Sequence, residues 1–163
     1  MKQTLIIRLS GIAFVIASAG VVADVYRVLG PDVTIGTMML AMLLGASGLA
    51  LFLRRQAGWW TAGLGVLGVL VILGSNLFYP TDTFAWMFPL GVGAVGLALL
   101  PAGRLARLAS LVWLVGGILG LPPVPSPSGG LGFIFFGVAL LLLGSVLWTE
   151  ADSRETATVL AGP

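Results

Sequence analysis

Long apolar runs alternate with short polar breaks along the whole chain. Six runs come close to the roughly 20 residues that a helix needs to cross the hydrocarbon core of a bilayer. They are Leu9 to Leu29, Ile35 to Leu53, Trp59 to Phe78, Phe84 to Leu100, Leu105 to Leu121 and Leu131 to Trp148. A backbone in lipid must satisfy its own hydrogen bonds, so the pattern predicts six transmembrane helices.

The polar breaks are short and rich in turn-forming residues, for example GPDVT, RRQAG and PPVPSPSGG. The helices therefore pair into three tandem hairpins, at about 9–53, 59–100 and 105–148. These hairpins form a single transmembrane domain over residues 1–149. Residues 150–163 are more polar and are expected to form a disordered cytoplasmic tail.

A repeat of 48 residues relates the hairpins. Residues 45–51 read GASGLAL and residues 93–99 read GAVGLAL, with six of seven positions identical. The same offset aligns two triplets of glycines: Gly48, Gly96 and Gly144, and Gly20, Gly68 and Gly116. The predicted fold class is therefore an all-α integral membrane protein with parallel repeats around a pseudo-threefold axis along the membrane normal. The alternative is chance matching in a composition dominated by leucine, glycine, alanine and valine.

Glycine at recurring positions has a physical use inside a bilayer. Helices in lipid associate by close packing, which small residues permit. Gly116 and Gly120 form a GxxxG pair. The predicted helix-packing residues are Gly20, Gly48, Gly68, Gly96, Gly116, Gly120 and Gly144.

Charge confirms the membrane class and predicts an orientation. Only 9% of residues are charged, 58% are hydrophobic and the mean hydropathy is +1.10, far from the composition of soluble domains. With the N-terminus inside, the cytoplasmic cations are Lys2, Arg8, Arg54, Arg55, Arg104, Arg107 and Arg154. Only Arg27 is left outside, so the positive-inside rule places both termini in the cytoplasm of a cell (inner) membrane.

Aromatic residues mark the ends of the predicted spans. Those assigned to the inner interface are Phe52, Trp59, Trp60 and Trp148. Trp113 falls near the middle of the fifth run and is predicted to be a packing residue.

The first segment has an alternative interpretation. Lys2 and Arg8, the apolar residues 11–17 and the small triplet at 17–19 resemble a cleavable signal peptide. Against this, the apolar sequence continues to Leu29, and cleavage would destroy the first copy of the repeat.

Composition removes most active-site chemistry. The chain has no cysteine and no histidine, which excludes thiolate nucleophiles, cysteine zinc sites and the usual general base. No basic face for nucleic acid is present, and no metal or cofactor is expected. The candidate polar pair is Asp24 with Arg27, three residues apart and able to neutralise each other on one helical face. Ser18 and Ser47 are the deeper hydroxyls, and either can bond a carbonyl of its own helix.

Three two-helix units, a proline in each outer loop, and second helices reading GASGLALFLRR, GAVGLALLPAGR and GVALLLLGSVLW resemble the HdeD-like acid-resistance membrane proteins. The third unit departs most, with the longer loop PPVPSPSGG. The resemblance implies a bacterial inner-membrane protein tied to acid or general stress, and it offers no established catalytic site to carry over.

The predicted function is therefore non-enzymatic: a multi-pass membrane protein with a structural, regulatory or stress-protective role. In an acid response without histidine, the carboxylates expected at the outer side, Asp24, Asp32 and Asp82, are the groups to titrate. The alternatives are a transporter or channel for a small solute or apolar molecule, and an accessory subunit of a larger membrane complex. Expected partners are the lipid bilayer and either another membrane protein or a second copy of the chain.

Overall fold

A computed structural model describes the backbone of residues 2–25, 31–75, 82–119 and 129–160, with side chains for 3–23, 36–75, 86–119 and 134–153. These residues form six α-helices. They are α1 (Lys2–Val25), α2 (Pro31–Gln56), α3 (Trp59–Ser75), α4 (Asp82–Leu99), α5 (Arg104–Leu119) and α6 (Gly129–Leu160).

The six helices form a closed ring. Each helix packs against the helices before and after it in the chain, and α6 packs against α1. Neighbours are antiparallel: in α1, Gly11 faces Gly144 of α6, while Ser18, two turns further along, meets the earlier Gly137. The described fold is therefore an all-helical up-and-down bundle whose first and last helices are in contact.

Two described turns join helices at one end of the ring, and each needs a glycine. The N–H groups of Ala57 and Gly58 donate to the carbonyl of Leu53 at 2.9 and 3.1 Å, which ends α2. Gly58 then has φ of 96° and Gly103, before α5, has φ of 111°. A side chain is strained in that left-handed region, so glycine lets the chain reverse within a few residues.

Small residues are mostly buried, and the outside of the bundle is covered by large apolar side chains. Helix α5 shows this clearly: Ala106, Ala109, Ser110, Trp113, Gly116 and Gly117 are buried. Its exposed side carries Leu105, Leu108, Leu111, Val115 and Ile118, each at least 41% exposed. Every one of the six helices has such exposed large apolar residues. A soluble monomer does not surround itself with leucine in this way, whereas lipid solvates it.

Three helical stretches are long and apolar enough to cross a membrane: Gln3–Ala23, Gly36–Gln56 and Ile134–Ser153. This confirms three helices able to cross a membrane, whereas the six spans stay a prediction. As described, α3, α4 and α5 contain 17, 18 and 16 residues. At about 1.5 Å per residue they measure about 24–27 Å, less than the hydrocarbon thickness of about 30 Å.

Helix α6 differs from the expectation at its C-terminal end. Residues 150–160, which the polar composition predicted to be a disordered tail, continue the helix as far as Leu160. No glycine or proline interrupts the chain from Ser145 to Leu160, and Ala151 is fully buried. The hydroxyls of Thr149 and Ser153 bond carbonyls four residues back within α6, at 2.6 and 2.9 Å. This absence of helix breakers, with one buried position, explains the continuation.

Candidate functional site

Two pairs of facing glycines bring helix backbones into contact. A Cβ on Gly68 of α3 would lie 2.8 Å from the carbonyl oxygen of Gly91 in α4. A Cβ on Gly144 of α6 would lie 2.7 Å from the carbonyl oxygen of Gly11 in α1. Of the four, Gly68 and Gly144 belong to the predicted packing set, while the pattern missed their partners Gly11 and Gly91. Those two lie outside the 48-residue alignment that singled out the others.

Gly48 and Gly96, equivalent in the sequence repeat, each meet a serine on another helix. A Cβ on Gly48 would lie 2.3 Å from Oγ of Ser10 in α1, and the N–H of Gly48 donates to that oxygen at 3.0 Å. Ser110 of α5 donates its hydroxyl to the carbonyl of Gly96 at 2.6 Å. The partner helix precedes α2 in one case and follows α4 in the other, so the two copies are used differently.

The other predicted packing glycines are only partly described. Gly20 and Gly116 are buried. Gly120 lies outside the described residues. For the polar pair, Asp24 belongs to α1 but its side chain is outside the described set, as is all of Arg27.

Interhelical hydroxyl bonds are more numerous than the sequence indicated. Ser18 donates to the carbonyl of Gly137 in α6 at 2.8 Å and not to a carbonyl of its own helix, the bond that the sequence had made available to it. Ser47 does bond its own helix, at the carbonyl of Leu44. Ser10 and Ser110 were missed because a lone serine in an apolar run gives no local sign of which face it occupies.

An aromatic cluster fills part of the core. Trp113 is fully buried, which confirms it as a packing residue, and its ring meets Phe136 edge-to-face at 5.2 Å. Phe136 in turn meets Phe88 at 5.1 Å. The indole Nε1 of Trp113 is buried without a hydrogen-bond partner. No described group of carboxylates is arranged to hold a metal ion.

Charged side chains gather at the end of the bundle where α1, α3 and α5 begin and α2, α4 and α6 approach their C-termini; we call this the charged end. Arg8 of α1 forms an ion pair with Asp152 of α6, with Nη2 to Oδ1 at 2.5 Å. Gln56 Nε2 donates to a carboxylate oxygen of Glu150 at 3.3 Å. The ion pair joins residues 144 positions apart, so it closes the ring of helices.

Aromatic and backbone groups hold other cations at the charged end. The Arg54 guanidinium lies 3.7 Å from the ring centroid of Trp59, and that of Arg8 lies 5.5 Å from Trp148. Arg107 Nε donates to the carbonyl of Leu100 at 3.2 Å. The three tryptophans assigned to the inner interface are exposed, but Phe52 is buried because it shares a core-facing side of α2 with Leu49. It still lies at the charged end, where it lines a cleft with Gln56 and Arg104, so its placement at the inner interface stays a prediction.

Two of the depressions lined by described residues lie near the charged end. The first, the α1/α6 groove, has a volume of about 390 Å³ and follows the contact of Gly11 with Gly144. Its walls are Ile12, Val15 and Ile16 of α1 and Ser145, Trp148 and Thr149 of α6. The second, the charged-end cleft, has a volume of about 280 Å³ between α2, α6 and the α4–α5 turn. Its polar lining includes Gln56, Arg104, Glu150 and Ser153.

The described residues thus offer close helix packing, a charged end, the α1/α6 groove and the charged-end cleft. Comparison with known proteins adds no relative: no protein-family model, no curated protein and no solved structure matches the chain.

Proposed function

We propose that the chain is a non-enzymatic, six-span protein of the cell membrane that protects the membrane under acid or envelope stress. In this proposal α3, α4 and α5 also cross the bilayer, and both termini lie in the cytoplasm. The observation that carries the proposal is the outward display of large apolar side chains on all six helices around a core of small and apolar ones. If three helices of a closed ring cross the bilayer, the other three helices, which pack beside them, are surrounded by the same lipid.

The polar groups support a structural rather than a transporting role. The buried hydroxyls of Ser10, Ser18 and Ser110 are engaged with backbone groups of neighbouring helices. Because solute paths need polar linings or unwound helices near the midplane, hydroxyls used for packing do not favour such a path.

The charged end supports the orientation. The described arginines Arg8, Arg54, Arg55, Arg104 and Arg107 all belong to the helix ends and turns of this end. The positive-inside rule assigns such an end to the cytoplasm. The stress-protective role itself rests on the resemblance to the HdeD-like proteins.

The acid-protective role is tested by survival after acid challenge. Removing the protein should lower survival, and the triple change Asp24→Asn, Asp32→Asn and Asp82→Asn should lower it to the same level, because these carboxylates are the groups left to sense acid at the outer side. Glu150→Gln, at the charged end, is the matched control and should leave survival unchanged. Equal survival with and without the protein would reject the role.

A liposome assay accompanies this test and separates the proposal from a transporter. Vesicles that contain the purified chain and a trapped fluorescent solute should leak no faster than empty vesicles at neutral or acidic pH. Solute release that depends on the protein would replace the structural role with transport.

A further inference from the structure

The α1/α6 groove has the properties of a lipid site. Ile12, Val15, Ile16 and Trp148 are between 41% and 46% exposed, so the groove opens to the surroundings of the bundle. The polar atoms on its α6 wall are already used, since Ser145 donates to the carbonyl of Leu141 at 3.0 Å and Thr149 to that of Ser145 at 2.6 Å. An occupant therefore meets an apolar surface with no free hydroxyl to satisfy.

The groove exists because two glycines meet below it. Gly11 and Gly144 bring the backbones of α1 and α6 into contact and contribute no side chain above the crossing. The wall residues stand on either side of this gap. The result is a furrow along the helices, a shape that accepts a chain rather than a compact solute.

The charged end of the groove carries both signs of charge. Arg8 lies one turn before Gly11 and Ile12 on α1, and Asp152 lies one turn after Trp148 and Thr149 on α6, so both share the faces that form the groove. Their side chains are paired with each other and remain 32% and 47% exposed. This partly exposed pair places a guanidinium and a carboxylate side by side, just beyond the apolar walls.

This arrangement complements one class of lipid headgroup. We propose that the α1/α6 groove binds a phospholipid with an ethanolamine headgroup, its acyl chain between the walls, its phosphate at Arg8 and its ammonium at Asp152. A primary ammonium has N–H groups that donate hydrogen bonds to a carboxylate. The quaternary ammonium of choline has no such donor. A glycerol headgroup has no cation for Asp152 at all. Because the occupant enters from the bilayer, this proposal rests on the membrane placement given under the proposed function.

Native mass spectrometry of the chain released from nanodiscs tests the site. The nanodiscs contain equal amounts of phosphatidylethanolamine, phosphatidylcholine and phosphatidylglycerol with the same acyl chains. The wild-type chain should retain about two to five times as much phosphatidylethanolamine as either competitor. This ratio corresponds to the free energy that a half-exposed ion pair contributes. Asp152→Asn should abolish this preference.

Ser145→Trp fills the groove without touching the ion pair and should reduce the retained lipid of every headgroup. Val138→Trp is the matched control, at a 44% exposed position of α6 outside the groove, and should retain lipid like the wild type. Equal retention of the three lipids, or Ser145→Trp that binds as well as Val138→Trp, would overturn the site. A chain that forms dimers and retains no lipid would also overturn the site. A chain that inserts with the proposed topology yet shows no selectivity refutes only the lipid site, whereas a chain that fails to insert refutes the proposed function as well.

Discussion

At the scale of single residues, the distance between helix backbones separates two kinds of glycine. Gly68 in α3 has no room for even a methyl group, because its Cβ would lie 2.8 Å from backbone atoms of Gly91 and Val95. Gly63, in the same helix, has no neighbouring atom within 4 Å of its Cβ position. Lipid supplies no hydrophobic drive for helix association, so close contacts of the first kind carry much of the specificity of packing.

This contrast gives a matched pair of variants. Gly68→Ala should lower the free energy of unfolding by about 1–3 kcal/mol, the usual cost of overpacking, because rigid backbone rather than a flexible side chain stands in the way. Gly63→Ala should leave stability unchanged or raise it by up to about 1 kcal/mol, since alanine is the better helix former. Thermal unfolding of both variants in one detergent measures the difference. Equal stabilities would show that α3 and α4 are not in backbone contact.

At the scale of elements, α6 is the helix that the sequence described least well. Its 32 residues correspond to about 48 Å at 1.5 Å per residue, more than a bilayer core requires. The surplus forms the part beyond Trp148, where Ala151 is buried and Asp152 reaches Arg8. The polar composition of this part gave no sign that it forms a helix packed against the bundle.

Hydrogen exchange tests the extension of α6. Amides of residues 149–153 should exchange far more slowly than those of an unstructured peptide, because each is hydrogen-bonded within the helix. Glu150→Pro should remove the protection of residues 151–153, since the proline ring clashes with the preceding turn at a cost of about 3 kcal/mol and breaks the helix on their N-terminal side. Protection of Trp59–Ser75 should stay as in the wild type. Free exchange at 149–153 in the unmodified chain would contradict a docked extension.

At the scale of the whole molecule, ring closure makes the two ends of the chain depend on each other. Helix α1 packs on α6 through Gly11 and Gly144, through the bond of Ser18 to Gly137, and through the ion pair of Arg8 with Asp152. The first and last helices of the chain are therefore held in place by the same contact between α1 and α6. An up-and-down ring with an even number of helices also returns the C-terminal end to the side where the chain began.

The absence of cysteine from the chain makes this topology directly measurable. Ser153→Cys should react with a membrane-impermeant maleimide only after the cells are permeabilised, whereas Thr81→Cys, in the polar break after the third apolar run, should react in intact cells. Ser126→Cys, in PPVPSPSGG, should behave like Thr81→Cys. Labelling of Ser153→Cys and Thr81→Cys from the same side would contradict six spans with both termini inside.

Hydropathy along the sequence was enough to predict the helical membrane class and the approximate positions of all six helices. These properties are local: a run of apolar residues of sufficient length needs lipid whatever its neighbours are. Gly68 and Gly144 were likewise singled out by the 48-residue spacing of the repeat, because small residues permit the close approach of membrane helices.

Only the tertiary structure decided which residues meet. The pairs Gly11 with Gly144, Ser18 with Gly137 and Arg8 with Asp152 join opposite ends of the chain, and no local signal links their members. In a soluble helix the polar side marks the face that points outward. Here both faces of a helix are apolar, since lipid and core accept the same side chains. Only the packing of the helices into a ring therefore shows which face of each helix points to the core.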